Sequence, residues 1–168
     1  TLRDDTQAAK EDLYPLLREY ATAIKDGLMA LSKVCKRKGI GQNLNEYGTT
    51  NRRPAPIYRG AKYANDHIEG VTIQHGDKPA LIYVDTITGQ YPTTYSATTA
   101  EDGDVVDAIA LPDPSQLPDG CVVDYEKHYR KTLRDPMKPL LATRFGQKPW
   151  EDVLHQHEQS GLTAFEAD

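Results

Sequence analysis

The sequence predicts a mainly helical α+β fold with a small antiparallel sheet, and three observations carry that expectation. Apolar residues recur at a spacing of three and four over residues 12–35 and again over 124–145, the pattern of helices that bury one face. Between them, residues 80–84 (Ala-Leu-Ile-Tyr-Val) form a short β-branched and apolar run, and 105–111 alternates, each about the length of a strand. With 168 residues, 38% of them hydrophobic, the chain is long enough to bury one sizeable core.

The first helix is expected to place Leu13, Leu16, Leu17, Tyr20, Ile24, Leu28, Leu31 and Cys35 on its buried side. Pro15 suits a first-turn position and Gly27 an interruption. Gly39, after Lys36-Arg37-Lys38, suits a C-terminal stop that leaves three cations on the negative end of the helix dipole. Residues 39–60, rich in Gly, Asn, Thr and Pro, read as an extended loop, and 57–68 as a short helix carrying Arg59 and Lys62. Pro112, Pro114, Pro118 and Asp119-Gly120 make the linker after the second strand irregular. The second long helix starts at the N-cap Asp124, runs through Tyr125, Tyr129, Leu133, Met137, Leu140, Leu141 and Phe145, and stops at Gly146. Pro136 and Pro139 each remove a backbone donor and are expected to kink or split it. The predicted organisation is therefore a helical segment at 1–38, a central domain at 39–147 and a polar tail at 148–168.

Charge is segregated. The net charge is -5, yet residues 33–62 hold eight Lys or Arg against the single acid Glu46, and 127–148 hold seven against Asp135. Between them, 101–126 holds eight Asp or Glu and no Lys or Arg. Clustered cations suit phosphate contacts, whereas the acidic balance excludes a protein that coats nucleic acid indiscriminately; the alternative is that these are solvated helix faces. Two distant cysteines, Cys35 and Cys121, leave one possible bridge and no ligand cluster, and read as reduced thiols in a cytoplasmic setting. No apolar run approaches the roughly 20 residues of a membrane span, and Thr1-Leu2-Arg3-Asp4-Asp5 lacks the basic and apolar stretches of a signal. The missing initiating Met points to a fragment or a processed chain.

No standard catalytic constellation or phosphate-binding glycine loop occurs. Tyr83-Val84-Asp85-Thr86 is similar to the start of the metal-binding Tyr-x-Asp-Thr-Asp motif of replicative polymerases, but Ile87 stands where two-metal chemistry needs a second acid. His155-Gln156-His157 alternates on a helix and has no Cys within reach. The acids at 101, 102, 104 and 107 lack calcium-loop spacing. No catalytic residue and no metal ligand is assigned; a compact metal-dependent nuclease using Asp85 and the 101–107 acids is the enzyme class that magnesium or manganese cleavage assays would test.

One family comes into view from the later segments. Residues 124–141, Asp-Tyr-Glu-Lys-His-Tyr-Arg-Lys-Thr-Leu-Arg-Asp-Pro-Met-Lys-Pro-Leu-Leu, resemble the thumb helix of family B DNA polymerases, with its acidic-aromatic start and its Leu-x-x-Pro before an apolar run. Upstream, Asn45-Glu46-Tyr47 and Pro56-Ile57-Tyr58-Arg59-Gly60-Ala61-Lys62 resemble the family's Glu/Asp-Tyr, Pro-His-Val and Ala-Lys segment. Gly76-Asp77-Lys78 resembles its Gly-Asp-Lys turn, and Asp107-Ala108-Ile109-Ala110-Leu111 its Asp-Arg-Ala-Ile. The order agrees over residues 40–168, and the first helix resembles the last palm helix. The chain departs from the family at Ile57, at Lys127-His128 in place of a Tyr-Tyr pair, and at Thr132.

The resemblance implies a thumb domain that grips primer-template duplex behind the active site through sequence-independent contacts from Lys36, Arg37, Lys38, Arg52, Arg53, Arg59, Lys62, Lys131, Arg134 and Lys138. It implies the remainder of the polymerase as partner, no cofactor in these residues, and magnesium in the parent nucleotidyltransferase. Gln159, Leu162 and Phe165 in Gln-Ser-Gly-Leu-Thr-Ala-Phe are similar to a sliding-clamp-binding box, in which Leu and the aromatic fill one apolar pocket. The alternative from another class is a small non-enzymatic adaptor that binds a sliding clamp through this peptide. A reading frame continuing upstream into palm motifs separates the two.

Overall fold

The computed structural model describes residues 2–46, 55–86 and 107–154. The fold is α+β, mainly helical, with a small antiparallel four-stranded sheet. The chain forms two compact units, one built from Thr1–Leu28 with Tyr129–Asp168 and the other from Met29–His128. These limits differ from the predicted boundaries at 38 and 147, because residues of the first and last helical segments pack together. Tyr14 meets Phe145 edge-on with ring centroids 5.9 Å apart, and Trp150 Nε1 donates to Tyr129 Oη at 3.1 Å. The predicted tail likewise differs at its start: residues 149–154 are helical, and Trp150 and Val153 are core side chains.

In this first unit α1 spans Leu2–Lys25, ten residues longer at its start than the apolar repeat suggests. Asp4 and Asp5 in its first turn and Lys25 in its last suit the helix dipole. Pro15 therefore lies inside the helix and not in its first turn. The buried stripe is Tyr14, Leu17, Ala21 and Ile24, spaced three, four and three, whereas Leu16 and Tyr20 are half exposed. The helix stops at Gly27, not Gly39. Gly27 has φ +67, its N–H donates to Ile24 O, and Leu28 N–H donates to Ala23 O, a Schellman cap that a side chain at position 27 would strain.

The second unit is a sheet covered by one helix. After the short α2 (Leu31–Val34), Lys36–Arg37 form β1, an edge strand and not the helix end predicted for the basic triplet. The central strand β2 (Ala80–Thr86) pairs antiparallel with β3 (Ala108–Leu111) along one side. On its other side it pairs with β1 at Leu81 and Ala80, and with β4 (Val122–Val123) at Val84 and Thr86. α3 (Pro56–His67) follows the predicted short helix within one residue, with Pro56 in the first turn. Its Ile57, Ala61 and Ala64 enter a core shared with Leu81, Ile82, Ile109 and Leu111. Gly60 is what lets it approach: a Cβ there would lie 2.7 Å from Ala110 N and 2.9 Å from Ile109 C.

Asn65 of α3 acts as a piece of strand. Its Nδ2 donates to Ile73 O at 2.8 Å and its Oδ1 accepts from Ile73 N–H at 2.7 Å, so the backbone of a buried residue is satisfied by one side chain. Asn65→Ala leaves both groups unpaired and is expected to cost about 2 kcal/mol. A urea midpoint that does not move would show that water replaces the amide at no loss.

The last long helical run is not split by its prolines. α4 (Tyr125–Tyr129), a π-helical turn over Arg130–Arg134 and α5 (Asp135–Phe145) follow one another directly. Asp124 caps the start as predicted, its Oδ1 accepting from Lys127 N–H at 2.8 Å, and Gly146 ends it with φ +97. The wider turn, in which Asp135 N–H reaches Arg130 O, comes just before Pro136 and absorbs the donor that proline lacks. Pro139 stays inside α5, where Thr143 Oγ1 donates to the carbonyl of Pro139.

Candidate nucleic-acid interface

The ten predicted cations meet different fates. Lys36 and Arg37 lie on β1 and Lys38 just after it, all three exposed. Arg37 already has work inside the fold: its Nη1 donates to Lys78 O and its Nη2 to Pro112 O, each at 3.1 Å, tying the edge strand to the turn before β2 and to the end of β3. Only 9% of the Arg59 side chain is exposed, and its guanidinium pairs with Asp107, a member of the acidic segment, at 2.5 Å. Lys62 is exposed on α3.

In the other unit Arg134 Nη2 lies 3.0 Å and Lys131 Nζ 3.9 Å from the Asp135 carboxylate, a surface cluster that answers part of both charges. Lys138 is exposed on α5. Arg52, Arg53, Gln159, Leu162 and Phe165 lie outside the described residues.

Lys127 and His128 make contacts inside the fold. Lys127 Nζ sits 4.7 Å above the Tyr83 ring and 3.4 Å from Asp107 Oδ2, so Asp107 holds cations from both α3 and α4. His128 is 1% exposed, and its Nε2 accepts from Tyr83 N–H at 2.9 Å. That bond requires a neutral ring with the proton on Nδ1, and burial pushes its pKa down to about 4. Burial raises both thiols, Cys35 to about 12, so neither is poised as a nucleophile.

The sequence reading missed Lys78. It is exposed opposite Gly39 because residues 38–40 continue the β1 ladder against 77–79: Lys38 N–H donates to Pro79 O and Ile40 N–H to Asp77 O. Forty residues separate Lys78 from Lys38 in sequence, so only the pairing of β1 with β2 brings it to the basic triplet. Among the described residues no group of three or more His, Cys, Asp or Glu is placed to hold a metal ion, and no helix is long and apolar enough to cross a membrane. No protein-family model and no curated protein matches the chain.

Proposed function

We propose that this chain is the thumb portion of a cytoplasmic family B DNA polymerase, holding primer-template duplex by phosphate contacts while the chemistry proceeds elsewhere in the parent enzyme. The observation that carries the reading is the run of resembling segments in the family's order, from Asn45-Glu46-Tyr47 to the Leu133-x-x-Pro136 helix. Two features support it. The segments coincide with discrete elements, namely α3, the turn at Gly76, β3 and the run from α4 to α5. The exposed cations Lys36, Lys38, Lys62 and Lys138 suit backbone contacts that carry no sequence information. Alone the chain does not polymerise: Asp85 lacks a paired acid, so magnesium serves the parent enzyme and these residues do not provide its site. On this reading Gln159, Leu162 and Phe165 form the contact to a sliding clamp.

The test is a duplex titration. The purified chain is expected to bind duplexes of unrelated sequence with equal, weak affinity, and log affinity is expected to fall against log salt by about 0.9 per phosphate neutralised. Binding that is insensitive to salt between about 50 and 200 mM, or that depends on sequence, would overturn the proposal.

A further inference from the structure

We infer that the backbone at Gly39 is a seat for one phosphate of the duplex, with Lys38 and Lys78 on either side of it and Lys62 beyond; this rests on the duplex-binding reading above and assigns it a place. The argument starts with the ladder. Because Lys38 N–H and Ile40 N–H are both spent on the carbonyls of residues 79 and 77, strand alternation turns the N–H of Gly39 to the opposite side, the outer edge of the sheet. Among the described residues β1 pairs with β2 alone, so this is an open edge.

Gly39 has no side chain to cover that donor. A Cβ built there meets only Lys78 Cγ, at 4.0 Å, which also shows that Lys78 stands beside it on the neighbouring strand. By the ladder register Gly39 lies opposite Lys78, so the Lys38 and Lys78 side chains leave from the two faces of the ladder, and an N–H at an open edge with a lysine on each face suits a phosphate oxygen. The third cation follows from Tyr58, whose Oη accepts from Gly41 N–H at 3.4 Å. Lys62 is one helical turn further along α3 and therefore on the same side as Tyr58. The local acid, Asp77, has its Oδ2 on Gln74 N–H, which closes the turn. Arg37 is a positioning residue here: by holding Lys78 O and Pro112 O it fixes the turn that carries Lys78.

The experiment compares the full chain with Lys78→Glu and with Arg3→Glu, a control of equal charge change at an exposed position in α1. Duplex affinity is measured against salt, and the Gly39 amide is followed by NMR during the titration. The expected result is a loss of about tenfold for Lys78→Glu with a salt slope shallower by about one phosphate, little change for Arg3→Glu, and a duplex-dependent shift of the Gly39 amide that Lys78→Glu abolishes. If the parent chain binds with the expected salt slope but Lys78→Glu matches Arg3→Glu, or the Gly39 amide stays still, the seat is overturned while the thumb reading stands. If the parent chain does not bind duplex at all, the thumb reading falls first. Circular dichroism confirms that each variant is folded, and if Lys78→Glu is not, Lys78→Gln carries the same comparison.

Discussion

Replacing Gly60 with alanine is expected to cost about 3 kcal/mol of folding stability, although alanine is the better helix former by about 1 kcal/mol. The added methyl would lie 2.7 Å from Ala110 N, 2.9 Å from Ile109 C and 3.1 Å from Ala108 O, all backbone atoms of β3. Strand backbone paired to β2 cannot step aside as a flexible side chain does, so α3 must lift from the sheet and loosen the contacts of Ile57, Ala61 and Ala64. The matched control is Gly39→Ala, which meets only the far part of Lys78 and is expected to change stability by less than about 0.5 kcal/mol. Urea unfolding at constant m-value reads both. A Gly60→Ala protein as stable as the parent would mean that α3 does not sit against β3 at this distance.

Acid is expected to destabilise the protein through His128. Its folded pKa of about 4 lies below the ordinary value of 6.5, mainly because burial disfavours the imidazolium and in part because Lys127 repels it, while Asp124 works the other way. The unfolded chain therefore binds the proton first. Stability from this group is fully present above about pH 6.5, falls as pH drops from there to about 4, and levels off below, a total of about 3 kcal/mol. Protonation also removes the acceptor for Tyr83 N–H in the central strand. His128→Gln offers an amide oxygen to the same donor but cannot titrate. Stability measured from pH 7 to pH 4 should fall more steeply for the parent than for this variant, and parallel curves would show that the ring is hydrated when folded.

The elements that could be read in advance are those whose signals are local. α3 was legible as a short helix at 57–68, the start of β2 from a β-branched run, and the cap at Asp124 from a polar residue before a helical repeat. The prolines at 136 and 139 do not split the helix, because a lost hydrogen bond can be accommodated where the neighbouring turn widens. The basic triplet misled. Lys36-Arg37-Lys38 looks like a helix end from its charge, but Gly27 had already closed the helix, and β2 offered an unpaired side to the residues that follow.

By itself, then, the sequence determined the class of fold, the segregation of charge and the order of family-like segments, since each is a property of neighbours along the chain. Which cations stay exposed was decided by tertiary structure. Arg59 pairs with Asp107, Arg37 is spent on two carbonyls, and Lys78 is brought opposite Gly39, all by pairings across 37 to 75 residues that no local pattern encodes. The physical reason is that a charge on a folding chain takes the best-desolvated partner within reach, and reach is set by the sheet register and not by the sequence.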